Sequence, residues 1–373
     1  MIRLAGVFLL TAAIGLAEDN VPLVPPPNTL EIDSDGTWSS DIYLTDSRLT
    51  YRRQIDKAEV EFSSSYTSYD MDYQPFRDFD FFGFDEHLHE DRFGGQLDLR
   101  YAVIDPLTFM ASGGLYDGYS NYRRVWIANR YRQKYDHPDF PRIPGYEDPD
   151  PKGWNAGAGA RWEYIPLKGF AEMNFGYAMD QTAPGYEDGQ DVAGNYLLLR
   201  GRERLHTRTA TVSSENVLTS WLRSLNEFFL FDTTARELRF SYKGSVNIAV
   251  APAWVVRAEG GITTEEPRFD AHFFGAVVEW EALRNFFVSV EGRYYEDNGE
   301  IEDSLLTSSA APPLRSWKLG MALRYMWKQS GLKVGISMFD TNYDPIRIGT
   351  AEFRYLYADR KWGLAQIAYS WQF

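Results

Sequence analysis

The sequence predicts an all-β fold, a transmembrane antiparallel β-barrel, from three observations. Stretches of about ten residues alternate apolar and polar side chains, and they come in pairs joined by short turns. Aromatic residues make up 16% of the chain, yet mean hydropathy is only -0.41 and no segment beyond the first 17 residues reads as a spanning helix. In a barrel wall, lipid-facing and lumen-facing residues alternate, so averaging hides the membrane signal and aromatics gather in belts at the two interfaces. A soluble β-sandwich also has short strands, but these seldom run to ten residues with charge so regularly on one face.

The chain opens with MIRLAGVFLLTAAIGLA, one Arg, an apolar run and a Gly15-x-Ala17 end, which predicts a secretory signal peptide over 1–17. The run is about a dozen residues, too short for the roughly 20 of a spanning helix. Residues 18–57 read as a periplasmic leader, Pro-rich at VPLVPPPNT and with room for one additional strand, and 58–373 as the barrel. A leader this short leaves no room for a second domain of ordinary size. The chain has no Cys, which removes disulfides and thiolate-based metal or redox chemistry.

Hairpins then follow one another. Leu97, Leu99, Tyr101 and Val103 alternate with Gln96, Asp98 and Arg100, turn at IDPL and continue through Phe109 to Leu115. The design recurs at 154–164 with 170–179, at 238–250 with 254–262, at 274–280 with 286–294, and at 317–327 with 332–338. Ala351, Phe353, Tyr355 and Tyr357 mark a strand before the terminal one, GLAQIAYSWQF, whose Ala365, Ile367, Tyr369, Trp371 and Phe373 share a face. One segment breaks the period. ENVLTSWLRSLNEFFLF, 215–231, spaces Leu218, Trp221, Leu222, Leu225, Phe228 and Phe229 as on a helix, with Ser214 as N-cap, and predicts an amphipathic helix. The count is about 14 strands, with 16 as the alternative if 40–53 and 217–231 are strands. Both counts leave a difficulty: the first turns short connections outward, the second sends long loops inward.

Together, the leader, the alternating strands, the long polar loops and the terminal Phe373 resemble a bacterial outer-membrane β-barrel of the porin-like kind, without pointing to one family. That resemblance implies a Gram-negative-type envelope, lipid and lipopolysaccharide as surroundings, and Tyr369, Trp371 and Phe373 as a signal for the outer-membrane assembly machinery. It also implies a lumen, for which the polar strand faces offer Arg100, Arg161, Arg239, Lys243, Arg257, Glu259, Glu291, Arg293, Lys318, Arg324, Glu352 and Arg354. On the strand 286–294, Phe286, Val288 and Val290 are expected to meet lipid, and Glu291 and Arg293 water. The expected function is a passive channel for small hydrophilic solutes or ions. The alternatives are a non-transporting barrel whose acidic loops bind a surface partner, and an outer-membrane hydrolase.

Formal charge is -15 and becomes -16 without the leader's single Arg. Acidic residues crowd FRDFDFFGFDEHLHED and YEDPDP, which argues against nucleic acid and suits divalent ions shared with lipopolysaccharide. His87 and His89, among Asp85, Glu86, Glu90 and Asp91, have metal-ligand chemistry but only an H-x-H spacing in a solvated loop. His206 has no local nucleophile motif beside it, and no Gly-rich phosphate loop joins a strand to a helix. No cofactor and no catalytic residue is therefore expected.

Overall fold

The computed structural model describes residues 28–73, 86–119, 121–122, 124–126, 128–129, 150–183, 186–190, 196–198, 203–233, 236–265, 269–299, 312–344 and 358–373. Its strands are β1 (Asn28–Trp38), β2 (Ile42–Ile55), β3 (Ala58–Tyr73), β4 (Glu86–Ile104), β5 (Leu107–Asp117), β6 (Lys152–Ile165), β7 (Gly169–Ala183), β8 (Tyr186–Gln190) and β9 (Tyr196–Leu198). They continue with β10 (Glu203–Thr219), β11 (Leu222–Thr233), β12 (Arg236–Ala251), β13 (Trp254–Glu265), β14 (Phe269–Leu283), β15 (Phe286–Asp297), β16 (Leu314–Trp327), β17 (Ser330–Tyr343) and β18 (Arg360–Gln372). All but β8 and β9, which form a small separate sheet, close into one antiparallel ring of 16 strands. β1 and β18 complete it, with Thr29 opposite Gln372 and Trp38 opposite Gly363. The ring leaves no sheet edge with unpaired amides, the requirement for β-structure in lipid.

The ring has the larger of the two strand numbers, reached differently from the sequence count. Residues 28–55 are two full wall strands, so the barrel begins at Asn28 and the expected boundary at 58 moves. The expected helix over 215–231 is the end of β10, a turn at Ser220 and Trp221, and most of β11. Its apolar residues mimic a helical period because β11 puts Phe228 and Leu230 on one face and Leu225, Phe229 and Phe231 on the other. β17 pairs directly with β18. The strand expected over 351–357, with Glu352 and Arg354, lies outside the described residues, as does the leader 1–17.

Adding β1 and β2 and reading β11 as a wall strand also resolves the sidedness. The connections after β2, β4, β6, β10, β12, β14 and β16 are tight, and all lie at one end with Asn28 and Phe373. The Phe373 N–H donates to the Asn28 carbonyl at 3.1 Å there. Asp56, Leu167, Asn285 and Lys328 take positive φ of 53°, 58°, 64° and 49° in these turns, the left-handed conformation that lets a chain reverse within a few residues. Every long connection lies at the other end. The two ends are called here the turn end and the loop end.

Strand parity sorts the side chains. Outward positions carry the large apolar residues that remain exposed, such as Leu99, Phe175, Val290, Ile336 and Ile367. Two aromatic belts bound this apolar zone. Near the turn end Trp254 stacks on Trp280 at 5.5 Å and Tyr325 on Trp327 at 5.6 Å. Near the loop end Trp154 meets Tyr177 at 5.5 Å and Tyr294 meets Trp317 at 4.5 Å. Rings with an apolar body and a polar tip suit the membrane interface. Tyr369 and Trp371 face outward in the turn-end belt, and Phe373 packs on Trp371 at 4.9 Å and on Tyr51 at 6.2 Å.

Candidate functional site

The inward faces of the 16 strands form a wall dense in charge. All ten described lumen candidates have inward parity, and cross-strand register decides what each one does. Arg100 pairs with Glu59 at 3.2 Å and Lys243 with Glu259 at 3.9 Å. Arg239 donates to Glu265 from Nε at 2.9 Å and Nη2 at 2.7 Å, and its guanidinium lies 4.4 Å over the Phe269 ring. Arg324 donates to Glu279 at 2.7 Å and lies over Phe287 at 4.4 Å. Lys318 pairs with Glu291, and Arg257 donates to Asn247 at 2.8 Å. Arg161 stacks on Phe170 at 3.8 Å and Arg293 on Phe273 at 4.2 Å.

The wall also holds groups that the sequence reading missed. Glu31, Asp33 and Asp35 of β1 run inward beside Arg48 and Arg52 of β2, and Glu59 and Glu61 of β3. The alternation of LEIDSDGTW was the available signal, masked by the Pro-rich stretch ahead of it. Arg223, placed on the supposed helix, is an inward cation paired with Glu215. Lys333 of β17 also faces inward, opposite Ala368.

Once the ion pairs are set aside, the remaining charge is unevenly spread along the wall, with an acidic sector on β1, β2 and β4. Glu31, Asp33, Asp35, Asp46 and Asp98, on β1, β2 and β4, make no ion pair among the described residues, against Arg48 alone of opposite sign in that sector. From β6 to β17 the inward charges without an ion pair are of both signs, the cations Arg161, Arg257, Arg293 and Lys333 alongside the carboxylates Glu163, Glu172, Asp180, Glu227 and Glu281. Charges left unpaired inside a protein persist where water reaches them, because desolvating them without a partner is costly. The acidic sector facing a wall of mixed sign sets up a field across the lumen.

Chain from the β5–β6 connection enters the barrel at the loop end. A short helical stretch within 122–129 packs against the inner wall, with Val125, Trp126 and Ala128 each 2% exposed. The hydroxyl of inward-facing Tyr69 donates to the Tyr119 carbonyl at 3.0 Å, and Tyr122 packs on inward-facing Trp362 at 5.9 Å. Nearby, at the rim, Arg360 holds Asp41 through contacts of 2.8 Å to 3.2 Å, tying the β1–β2 turn to β18.

The described histidines lie on the outside. His87 approaches Asp70 at 3.2 Å and Asp72 at 3.3 Å, and His89 approaches Asp70 at 2.9 Å and Asp91 at 3.4 Å, on the outer face beyond the loop-end belt. Among the described residues no group of three or more His, Cys, Asp or Glu is arranged to hold a metal ion. His206 also faces outward and shares a hydrogen bond with the Tyr177 hydroxyl at 2.7 Å.

No family model and no curated protein sequence matches the chain. Solved structures do match, as folds. A deletion mutant of TodX, a monoaromatic hydrocarbon channel, aligns with a TM-score of 0.50 and 14% identity over 94% of this chain and 91% of that one. A bacterial polysaccharide outer-membrane secretin aligns with a TM-score of 0.51 and 8% identity over 94% and 99%. CdiB from Acinetobacter baumannii aligns with a TM-score of 0.52 and 9% identity over 93% of this chain and 60% of that one. The architecture is that of bacterial outer-membrane β-barrels.

Proposed function

We propose that the chain is an outer-membrane channel through which small hydrophilic solutes and ions pass down their gradients. The observation that carries this reading is the inward file of unpaired charge of both signs, which needs water along the lumen to be stable. A packed, solute-free interior would be expected to pair these groups with one another, as it pairs Arg239 with Glu265. The helical stretch at the loop end limits the passage to small solutes. TodX is a hydrocarbon channel, but a lumen lined by free carboxylates and guanidiniums is a poor path for hydrocarbons, so the likeness supports passage and not that cargo.

Orientation follows from the class: tight turns face the periplasm and long loops the exterior. The acidic loops then meet solutes first. Liposomes carrying the refolded barrel are expected to swell in an isotonic pentose and to remain unswollen in a trisaccharide. Swelling in neither, with a folded barrel confirmed by gel migration, would favour a barrel that serves as a surface-binding platform.

A further inference from the structure

One lateral row of the lumen wall differs from the rest. In register across five adjacent strands stand Gly275, Arg293, Lys318, Phe339 and Trp362, all inward. Two cations are followed by two aromatic rings. Each cation also lies against a ring, Arg293 over Phe273 at 4.2 Å and Lys318 over Phe339 at 5.4 Å.

A single carboxylate serves this pair of cations. Glu291 is ion-paired with Lys318 and accepts a hydrogen bond from Ser337 at 3.0 Å, lying across Gly320 to do so. A Cβ at Gly320 would stand 2.6 Å from the Glu291 carboxylate and 2.3 Å from the Ser337 hydroxyl, so a side chain there would make both shift. Arg293, between bare Gly275 and Lys318, makes no ion pair or hydrogen bond among the described residues. One face of its guanidinium rests on Phe273, and the N–H edge remains unused. That planar fork matches a carboxylate with two parallel hydrogen bonds. Adjacent strands are about 4.8 Å apart, so a carboxylate between Arg293 and Lys318 places an attached ring roughly 7 Å along the row, at Phe339. Trp362 then bounds the row, with Tyr122 of the loop-end helical stretch packed behind it at 5.9 Å.

We propose that this row binds small aromatic carboxylates, the carboxylate on Arg293 and Lys318 and the ring against Phe339 and Trp362. The proposal deepens the channel reading and rests on it for what becomes of the bound solute, but the binding itself requires no current. Calorimetric titration of benzoate into the detergent-refolded full-length barrel tests it, with benzyl alcohol and cyclohexanecarboxylate as comparison ligands. Benzoate is expected to bind at one site, and Arg293→Gln to weaken it about tenfold or more, the scale of a lost charge-assisted hydrogen bond. Phe339→Leu should reduce benzoate to the level of cyclohexanecarboxylate, and benzyl alcohol should bind far more weakly than either acid. Arg161→Gln, which removes a stacked lumen cation near the turn end, should leave benzoate binding unchanged. Equal affinity in wild type and Arg293→Gln, equal losses from Arg293→Gln and Arg161→Gln, or no binding by a folded barrel would each overturn the site. A barrel that conducts without binding benzoate refutes the row alone, and one that binds benzoate without conducting refutes the channel reading alone.

Discussion

Val290→Arg is expected to destabilise the barrel by about 2–4 kcal/mol, the cost of an Arg facing lipid near mid-membrane. Val290 is 51% exposed on the outer wall, opposite Val278 on one side and Met321 on the other, between the two aromatic belts. Three residues along the same strand, Arg293 has inward parity, and Arg293→Gln should leave folding nearly unchanged because the lumen solvates either side chain. Urea unfolding in lipid vesicles, followed by tryptophan emission, measures both. Equal losses would mean that the two faces of β15 have been assigned wrongly.

Arg360→Ala should cost about 3–5 kcal/mol, because it leaves the buried carboxylate of Asp41 without its partner. The two side chains are 5% and 8% exposed, and the pair holds the loop end of the β1–β18 seam. Removing both, with Asp41→Ala, should recover part of the loss, since the unpaired buried charge is then gone. Acid provides a second readout. Burial pushes the Asp41 carboxyl up, but hydrogen bonds from Arg360 and its charge, with help from Ser39 and Ser40, outweigh that and hold it below the ordinary aspartate range. A depressed carboxylate stabilises the fold fully above its unfolded pKa of about 3.9, and the contribution fades as pH falls through the lower folded value. The wild type should therefore lose stability below about pH 4, and Arg360→Ala should show much less of that acid dependence. An Arg360→Ala barrel as stable as wild type would exclude the pair as a seam lock.

How much of this was legible in the sequence depends on what each segment has to satisfy. GLAQIAYSWQF and the strand 286–294 keep apolar or small residues outward over a full crossing and mostly polar ones inward, Leu364, Ala368 and Phe287 excepted, so their faces were readable from period alone. β1 was missed because its outward residues, Leu30, Ile32, Ser34 and Gly36, are only half apolar and follow a Pro-rich stretch. In the count of 16 that omission reversed the direction of every later strand and sent long loops inward, while in the count of 14 the helix taken in place of β11 reversed the strands from β12 on and turned short connections outward. β11 was taken for a helix because a lumen wall allows apolar residues inward too, and Leu225, Phe229 and Phe231 use that freedom. The charged lining was visible as residue types. Which charges cancel was not, because pairing is set by cross-strand register: Arg324 finds Glu279 two strands away, while Arg293 finds a ring.

The central claim is that this wall encloses water from end to end, and single-channel recording in planar bilayers tests it most directly. The refolded wild-type barrel should give steady unit current steps, and replacing both Asp33 and Asp35 with Asn should shift the reversal potential in a salt gradient toward anions. A folded, membrane-inserted barrel that passes no current would contradict the account.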